Sequence, residues 1–330
     1  MWEQIGIICC LMPAWLASGR LSARKTFAEL ADRLMEQFMR ETDAVWRRII
    51  LHGFVSVPLL LSPMMVKAQA VASSSTAPAS QNVDDPCDGL LAVLDRPTEA
   101  DSPCVVKPGR VIAEMGYQSG PIKNSDIGQL SFFPQAELRY GLPENWELKL
   151  FPPNYLSETQ RTFAGGDTIS GFGDAAFGAK YEFGYFGGFV FAADTKITVP
   201  TGRAAFSDGG PEVNVQGIIS YSITSALGIS GMLGVSTLTY RANDGSVVRF
   251  TSVNPDVVVT YQINDKLELY SELFGNTATT PLEGPNLTLQ GGVQYLLTKS
   301  LEIDASIGTL LRGPVGLQSR YFNFGTGLLF

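Results

Sequence analysis

From about residue 109 to the final Phe330 the chain shows little but two-residue alternation of apolar and polar side chains, broken by clusters of Gly, Pro, Asn and Asp. A period of two is that of a β-strand with one face in an apolar medium, and no sustained helical period competes with it. It predicts twelve strands, over residues 109–118, 130–142, 146–152, 173–183, 188–199, 212–223, 226–240, 248–262, 266–275, 286–298, 300–311 and 319–330. The connectors alternate in length. "LPENW", "FGYFGG", "ITSAL", "INDKL" and "LTKSL" are tight turns, whereas residues 119–129, 153–172, 200–211, 241–247, 276–285 and 312–318 are longer. In an up-and-down antiparallel barrel this puts every short turn on one rim and every long loop on the other, as in outer-membrane barrels with short periplasmic turns.

A soluble β-sandwich also alternates, so position discriminates better than pattern. The outward residue nearest the short-turn end is aromatic in eight strands: Tyr140, Trp146, Phe183, Phe189, Tyr221, Tyr261, Tyr295 and Phe330. Rings at one height form the interfacial girdle of a membrane barrel. A chain that stops on an aromatic then stops where the bilayer stops, with Phe322, Phe324, Thr326 and Leu328 facing lipid and Tyr321, Asn323, Gly325 and Gly327 facing inward. Leu287, Leu289, Val293 and Leu297 are expected outward on the tenth strand. Closure leaves no unpaired backbone group in hydrocarbon.

The opposite face then lines the lumen. The first five strands contribute Glu114, Glu137, Arg139, Glu147, Lys149, Asp174, Lys180, Glu182, Asp194 and Lys196, of both signs. The remaining strands contribute Glu212, Asp256, Glu268, Glu272, Glu302 and Asp304, all acidic. Two readings follow: a water-containing passage with a charged wall, or charges that pair across the lumen and fill it.

Residues 47–70, "RRIILHGFVSVPLLLSPMMVKAQA", have the basic, apolar and A-x-A regions of a secretory signal peptide, with cleavage expected after Ala70. The apolar core is short for a membrane span and contains Pro58 and Pro63. Translation is expected to start at Met39 or Met35, which makes residues 1–38 a mis-assigned extension and 39–70 the leader. Residues 71–107 read as a periplasmic linker, small and polar over "VASSSTAPASQNV", and 108–330 as the barrel. Cleavage removes 8 basic and 6 acidic residues, which leaves 16 and 26 and a net charge of −10. An acidic exported chain without a Lys/Arg cluster is not a nucleic-acid binder.

Cleavage also removes Cys9 and Cys10, so Cys87 and Cys104 remain, able to form a disulfide in an oxidising compartment. By loop-closure entropy such a bridge contributes about 3 kcal/mol. Two cysteines without histidine are too few for a metal site, and none is expected. The sole histidine, His52, goes with the leader, so a His-activated serine, a His metal site and a His general base are all excluded from the mature chain. No G-x-S-x-G elbow is present. Asp208 and Asp244 sit in turn-forming loops without the ligand spacing of a calcium site. No enzymatic activity and no cofactor are expected.

Four stretches, "LLAVLDRPTEADSPCVVKPGRVIAEMGYQ", "AELRYGLPENWELKL", "GFGDAAFGAKYEF" and "FNFGTGLLF", resemble the bacterial outer-membrane family of meta-pathway phenol degradation proteins, also labelled transporters. The resemblance spans residues 86–330. It implies an outer-membrane barrel associated with aromatic catabolism and uptake of small organic molecules, and it carries over no catalytic residue. The expectation is a passive channel for small solutes, held in outer-membrane lipid and inserted by the barrel assembly machinery acting on the strand that ends in Phe330. The alternative is a plugged barrel whose loops bind partners.

Overall fold

The computed structural model describes residues 85–123, 128–162, 165–242 and 244–330. The expected extension 1–38, leader 39–70 and first part of the linker, 71–84, lie outside the described residues.

The strands are β1 (Val111–Pro121), β2 (Gln129–Phe133), β3 (Glu137–Leu142), β4 (Trp146–Phe151), β5 (Tyr155–Thr162), β6 (Gly165–Phe172), β7 (Ala175–Phe186), β8 (Phe189–Val199), β9 (Glu212–Ser222), β10 (Leu227–Arg241), β11 (Val247–Asn264), β12 (Leu267–Asn276), β13 (Asn286–Thr298), β14 (Leu301–Arg312) and β15 (Arg320–Leu329). All pairings are antiparallel, and β1 pairs with β15 from Ile112↔Leu329 to Ser119↔Phe322, which closes the sheet. Three barrel strands are each interrupted once, as β2/β3, β4/β5 and β6/β7, so the fifteen segments make a twelve-stranded barrel.

The interruptions have local causes. Residues 130–142, expected as one strand, break after Phe133 because Pro134 has no N–H for the ladder and Gln135 adopts a φ of 42°. Pro152 and Pro153 separate β4 from β5 in the same way. Residues 153–172, expected as a long connector, are instead largely the β5–β6 hairpin, in which Tyr155 pairs with Phe172 and Thr159 with Thr168. Backbone pairing continues there without a clear apolar face, so the side-chain pattern that marks the other strands fades. The tight turns follow hairpin chemistry: Glu144 and Asn145 have φ of 61° and 62°, and Gly187 and Gly188 have 59° and 93°.

Tyr140, Trp146, Phe183, Phe189, Tyr261, Tyr295 and Phe330 are exposed on the outside of the barrel. Tyr221 is half-buried because it stacks on Phe189, with ring centroids 4.5 Å apart. The Phe330 ring is 61% exposed while its amide donates to the Val111 carbonyl at 2.9 Å, so the last residue still belongs to the closing seam. Leu287 departs from its expected outward position: it is buried beside an irregularity in the β13–β14 register.

Val257 lies on the outward face of β11, four residues along the strand from Tyr261 and on the loop side of it. Val257→Arg is expected to destabilise the inserted barrel by about 2–4 kcal/mol, whereas Val247→Arg at the loop end of the same face costs about 0–1 kcal/mol. Denaturant unfolding from liposomes measures both, and equal costs would contradict this placement of the bilayer.

The part expected as a periplasmic linker lies elsewhere. Residues 85–107 enter the barrel, so the ordered chain begins before Pro108. A single helical turn, α1 (Leu90–Val93), packs with Leu94, Val106 and the bonded pair Cys87–Cys104 against Ile112 and Val190 of the inner wall, with Leu296 and Leu329 alongside. The disulfide closes the base of this inserted segment.

Candidate functional site

The lumen is built from two partners, the inward face of the strands and the inserted segment 85–107, and their charges match by position. The segment carries Asp85, Asp88, Asp95, Glu99 and Asp101 but only Arg96 and Lys107. Facing Asp95 are the three inward cations of the β3–β7 side. Arg139 Nη1 lies 3.3 Å from Asp95 Oδ1, Lys149 Nζ 2.9 Å from Oδ2 and Lys180 Nζ 2.8 Å from Oδ1. Burial alone would raise the Asp95 carboxyl, but these three cations outweigh it and hold it well below its ordinary 3.8. The stability contributed by Asp95 is therefore present above pH 3.8 and is lost only as pH falls further, towards its folded value.

The wall cations hold one another's acids as well. Arg139, fully buried, reaches Glu147 at 2.7 Å and Glu114 at 3.0 Å. Lys149 also reaches Asp101 at 2.8 Å, Asp194 at 3.0 Å and Glu137 at 3.1 Å. Glu114 and Glu147 accept from backbone amides of the segment: Arg96 N–H at 2.7 Å for the first, Val106 N–H at 2.7 Å for the second. Glu182 accepts from Val105 N–H at 3.1 Å.

On the acidic side the segment supplies the complement. Arg96 binds Asp304 at 3.1 Å and Asn323 at 2.7 Å. Glu272 accepts from the amides of Glu99 and Ala100, both at 2.9 Å, and Tyr270 and Gln294 donate to the Pro97 and Arg96 carbonyls at 3.3 and 2.7 Å. Room for Arg96 and Leu94 comes from inward glycines. A Cβ at Gly116 or Gly325, which face each other across the closing seam, would meet the Arg96 guanidinium, and one at Gly327 would meet Leu94.

Neither reading of the lumen from sequence describes this arrangement. The charges do not simply bound an open passage, nor do they fill it by pairing only among themselves; they bind the chain's own N-terminal segment. Asp174 stands apart from the other charged residues of the wall, at the break between β6 and β7. There it accepts from Gly202 N–H at 2.7 Å and Ser207 Oγ at 3.0 Å, anchoring the β8–β9 loop. Glu212 accepts from Thr239 N–H at 2.8 Å near the same rim. Glu302 is fully buried and accepts from Gly327 N–H at 3.1 Å. Lys196 is exposed, with its ammonium 5.2 Å from the Phe151 ring centroid.

Sequence reasoning missed Asp95, Arg96, Glu99 and Asp101 as lumen residues. The available signal was the apolar content of "LLAVLD", unusual for a linker, beside inward glycines at matching seam positions. Cys87, Cys104 and Glu182 lie within ligand distance of one another, but the sulfurs are bonded to each other and are not thiolate ligands.

Among the described residues, cavities remain on either side of Asp101 of the segment. One, of about 340 Å³, is lined by α1 and the residues after it together with turn-side residues including Ser230, Thr260 and Glu268. The other, of about 360 Å³, is lined by Glu99, Lys149, Lys196, Asn254 and Asp256 among others. Asp101 lines both, and it accepts from Gln216 Nε2 at 2.8 Å.

A closed twelve-stranded antiparallel sheet with an apolar exterior, aromatic rings near one rim and a charged interior defines a transmembrane β-barrel of the outer-membrane kind. The chain belongs to the family described as "Putative MetA-pathway of phenol degradation", which matches residues 94–323. The crystal structure of an outer-membrane channel from Pseudomonas putida F1 is similar over 71% of this chain and 100% of that chain, at 14% identity and a TM-score of 0.55. The NanC porin aligns over 66% and 98%, at 14% identity and a TM-score of 0.46. The CymD monoaromatic hydrocarbon channel aligns over 68% and 88%, at 9% identity and a TM-score of 0.36. The first likeness is one of fold; the other two are too distant to carry an argument. No curated protein matches the sequence.

Proposed function

We propose that the protein is a passive outer-membrane channel for small solutes in which the inserted segment sets what passes. The observation that carries this reading is the pair of polar cavities on the two sides of the segment, separated where Asp101 meets Gln216. Ala100, next to Asp101 in the chain, packs with Val258 and Met232 beside this point. Cavities of about 340 and 360 Å³ suit small solutes, and the family's description favours organic ones, aromatic compounds included. Transport rather than catalysis fits a described chain that holds no histidine. Cleavage after Ala70, the expected domain limits and insertion by the barrel assembly machinery through the Phe330 strand belong to the same proposal.

Glu268 lines the turn-side cavity and Glu302 lines neither. In planar bilayers, protein shown to be folded by its heat-sensitive gel mobility is expected to give discrete, cation-preferring conductance steps. Glu268→Ala should weaken the preference and Glu302→Ala should leave it. Silent bilayers from folded protein would overturn the channel reading, and equal effects of the two variants would overturn the assignment of the route.

A further inference from the structure

Of the acids in the barrel, Asp256 is the one whose burial lacks a counterpart. It is 5% exposed, it lines the loop-side cavity, and no amide, hydroxyl or cationic group among the described residues donates to either carboxylate oxygen; the one side chain within bonding reach is the Glu272 carboxyl, which as a carboxylate can only accept. The charges acting on it most strongly are those of Glu272, Glu99 and Asp101, all negative. A buried carboxylate among like charges is costly unless something donates to it.

The other charged groups of the cavity are engaged or turned elsewhere. Lys149 is shared among four carboxylates, and Glu212 accepts from Thr239. Asp194 and Asp101 are held by Lys149. Lys196 lies over the Phe151 ring. Glu99, at the tip of the inserted segment, is exposed to the cavity although it lies deep in the barrel, and burial there raises its carboxyl above the ordinary range. In total the cavity is lined by five acids and two lysines, so it favours a positive occupant.

Its remaining wall narrows the chemistry. Met232 and Phe274, which pair with Asp256 from the two neighbouring strands, supply apolar surface next to it, and about 360 Å³ is the size of a small-molecule site. No three carboxylates of the cavity converge closely enough to chelate a metal ion; the one converging group among the described residues is that at the disulfide. An ammonium group bearing an apolar body fits this set of groups better than a bare ion.

We infer that the loop-side cavity is a binding site for small organic cations, with the ammonium donating to Asp256 and facing Glu99 while the apolar part rests on Met232 and Phe274. The inference deepens the channel reading by giving the route a recognition site directly above the partition at Asp101.

Binding rather than flux tests it, so the two readings can fail separately. Protein extracted from outer membranes in a non-ionic detergent is titrated calorimetrically with benzylammonium, benzyl alcohol, benzoate and calcium chloride, beside Asp256→Asn and Glu99→Gln. Folding of each variant is checked by gel mobility. The expected result is saturable binding of one benzylammonium, weakened about tenfold or more by the isosteric Asp256→Asn, because one partner of a buried charged hydrogen bond is removed. Glu99→Gln should weaken it less, and benzyl alcohol and benzoate should bind far more weakly. Equal binding of benzyl alcohol, unchanged affinity in folded Asp256→Asn, or tight calcium binding that excludes benzylammonium would each overturn the inference.

Discussion

Asp95→Ala is expected to unseat the inserted segment and make the wider, segment-free openings roughly a hundredfold or more commoner while the barrel stays folded. One carboxylate is met by Arg139, Lys149 and Lys180 at 3.3, 2.9 and 2.8 Å, all four groups buried. Deleting one partner of a buried ion network costs about 3–5 kcal/mol, because the remaining charges stay desolvated and uncompensated. At about 1.4 kcal/mol per factor of ten, that shifts the seated-to-unseated ratio by at least two orders of magnitude. The strand cations keep other partners, Arg139 with Glu114 and Glu147, Lys149 with Glu137 and Asp194, so the loss on the wall falls chiefly on Lys180, left with Glu147 at 3.9 Å. Asp88→Ala is the matched control: its bond to Lys107 is 2.7 Å long but solvent-exposed, and exposed pairs contribute little. Single-channel recording reads the difference. Asp95→Ala protein that folds and conducts no more than the unmodified chain would show that the segment does not control passage.

Gly116→Val tests the same seat from the opposite wall, by steric means. The three atoms nearest a Cβ at this position all belong to the Arg96 guanidinium, whereas those nearest one at Gly325 include the Met115 carbonyl of the backbone, so Gly116 is the cleaner site. Valine suits a strand, and its side chain would occupy the space from which Arg96 reaches Asp304 and Asn323. Overpacking of this kind costs about 1–3 kcal/mol. Hydrogen exchange of the Leu90–Ala100 amides is expected to accelerate roughly ten- to a hundredfold, while the β1–β15 seam keeps its protection. Unchanged exchange in the segment would mean that Arg96 reseats without loss, and loss of the seam would mean that the glycine serves the sheet rather than the segment.

The barrel was legible because the bilayer imposes its pattern on each strand separately. Val213, Val215 and Ile219 alternate with Asn214, Gln216 and Ser220 whatever the neighbouring strands do, and exposed rings such as Trp146, Tyr261 and Phe330 recur at the short-turn ends of the strands. The β5–β6 hairpin was not legible for the same reason: without a regular apolar face it carries no alternation, and its pairing rests on the backbone ladder and a few cross-strand contacts such as Tyr155 on Phe172 and Thr159 on Thr168. The lumen was half legible. Parity places Arg139, Lys149 and Lys180 inward, but parity cannot say what they face, because their main partner, Asp95, lies in a different segment of the chain and outside any strand.

What the sequence by itself determined is therefore the barrel's strand number, its inside and outside, and the rim on which it ends. These follow from local periodicity against an external solvent, and every strand reports them independently. What only the tertiary structure decided is the occupant of the lumen. Closing β1 onto β15 brings Gly116, Gly325 and Asp304 together as a seat for Arg96, and closing the wall sets Asp95 among three cations. No single stretch of chain holds that information, because buried charges are stable only where partners distant in sequence converge in a space that excludes water.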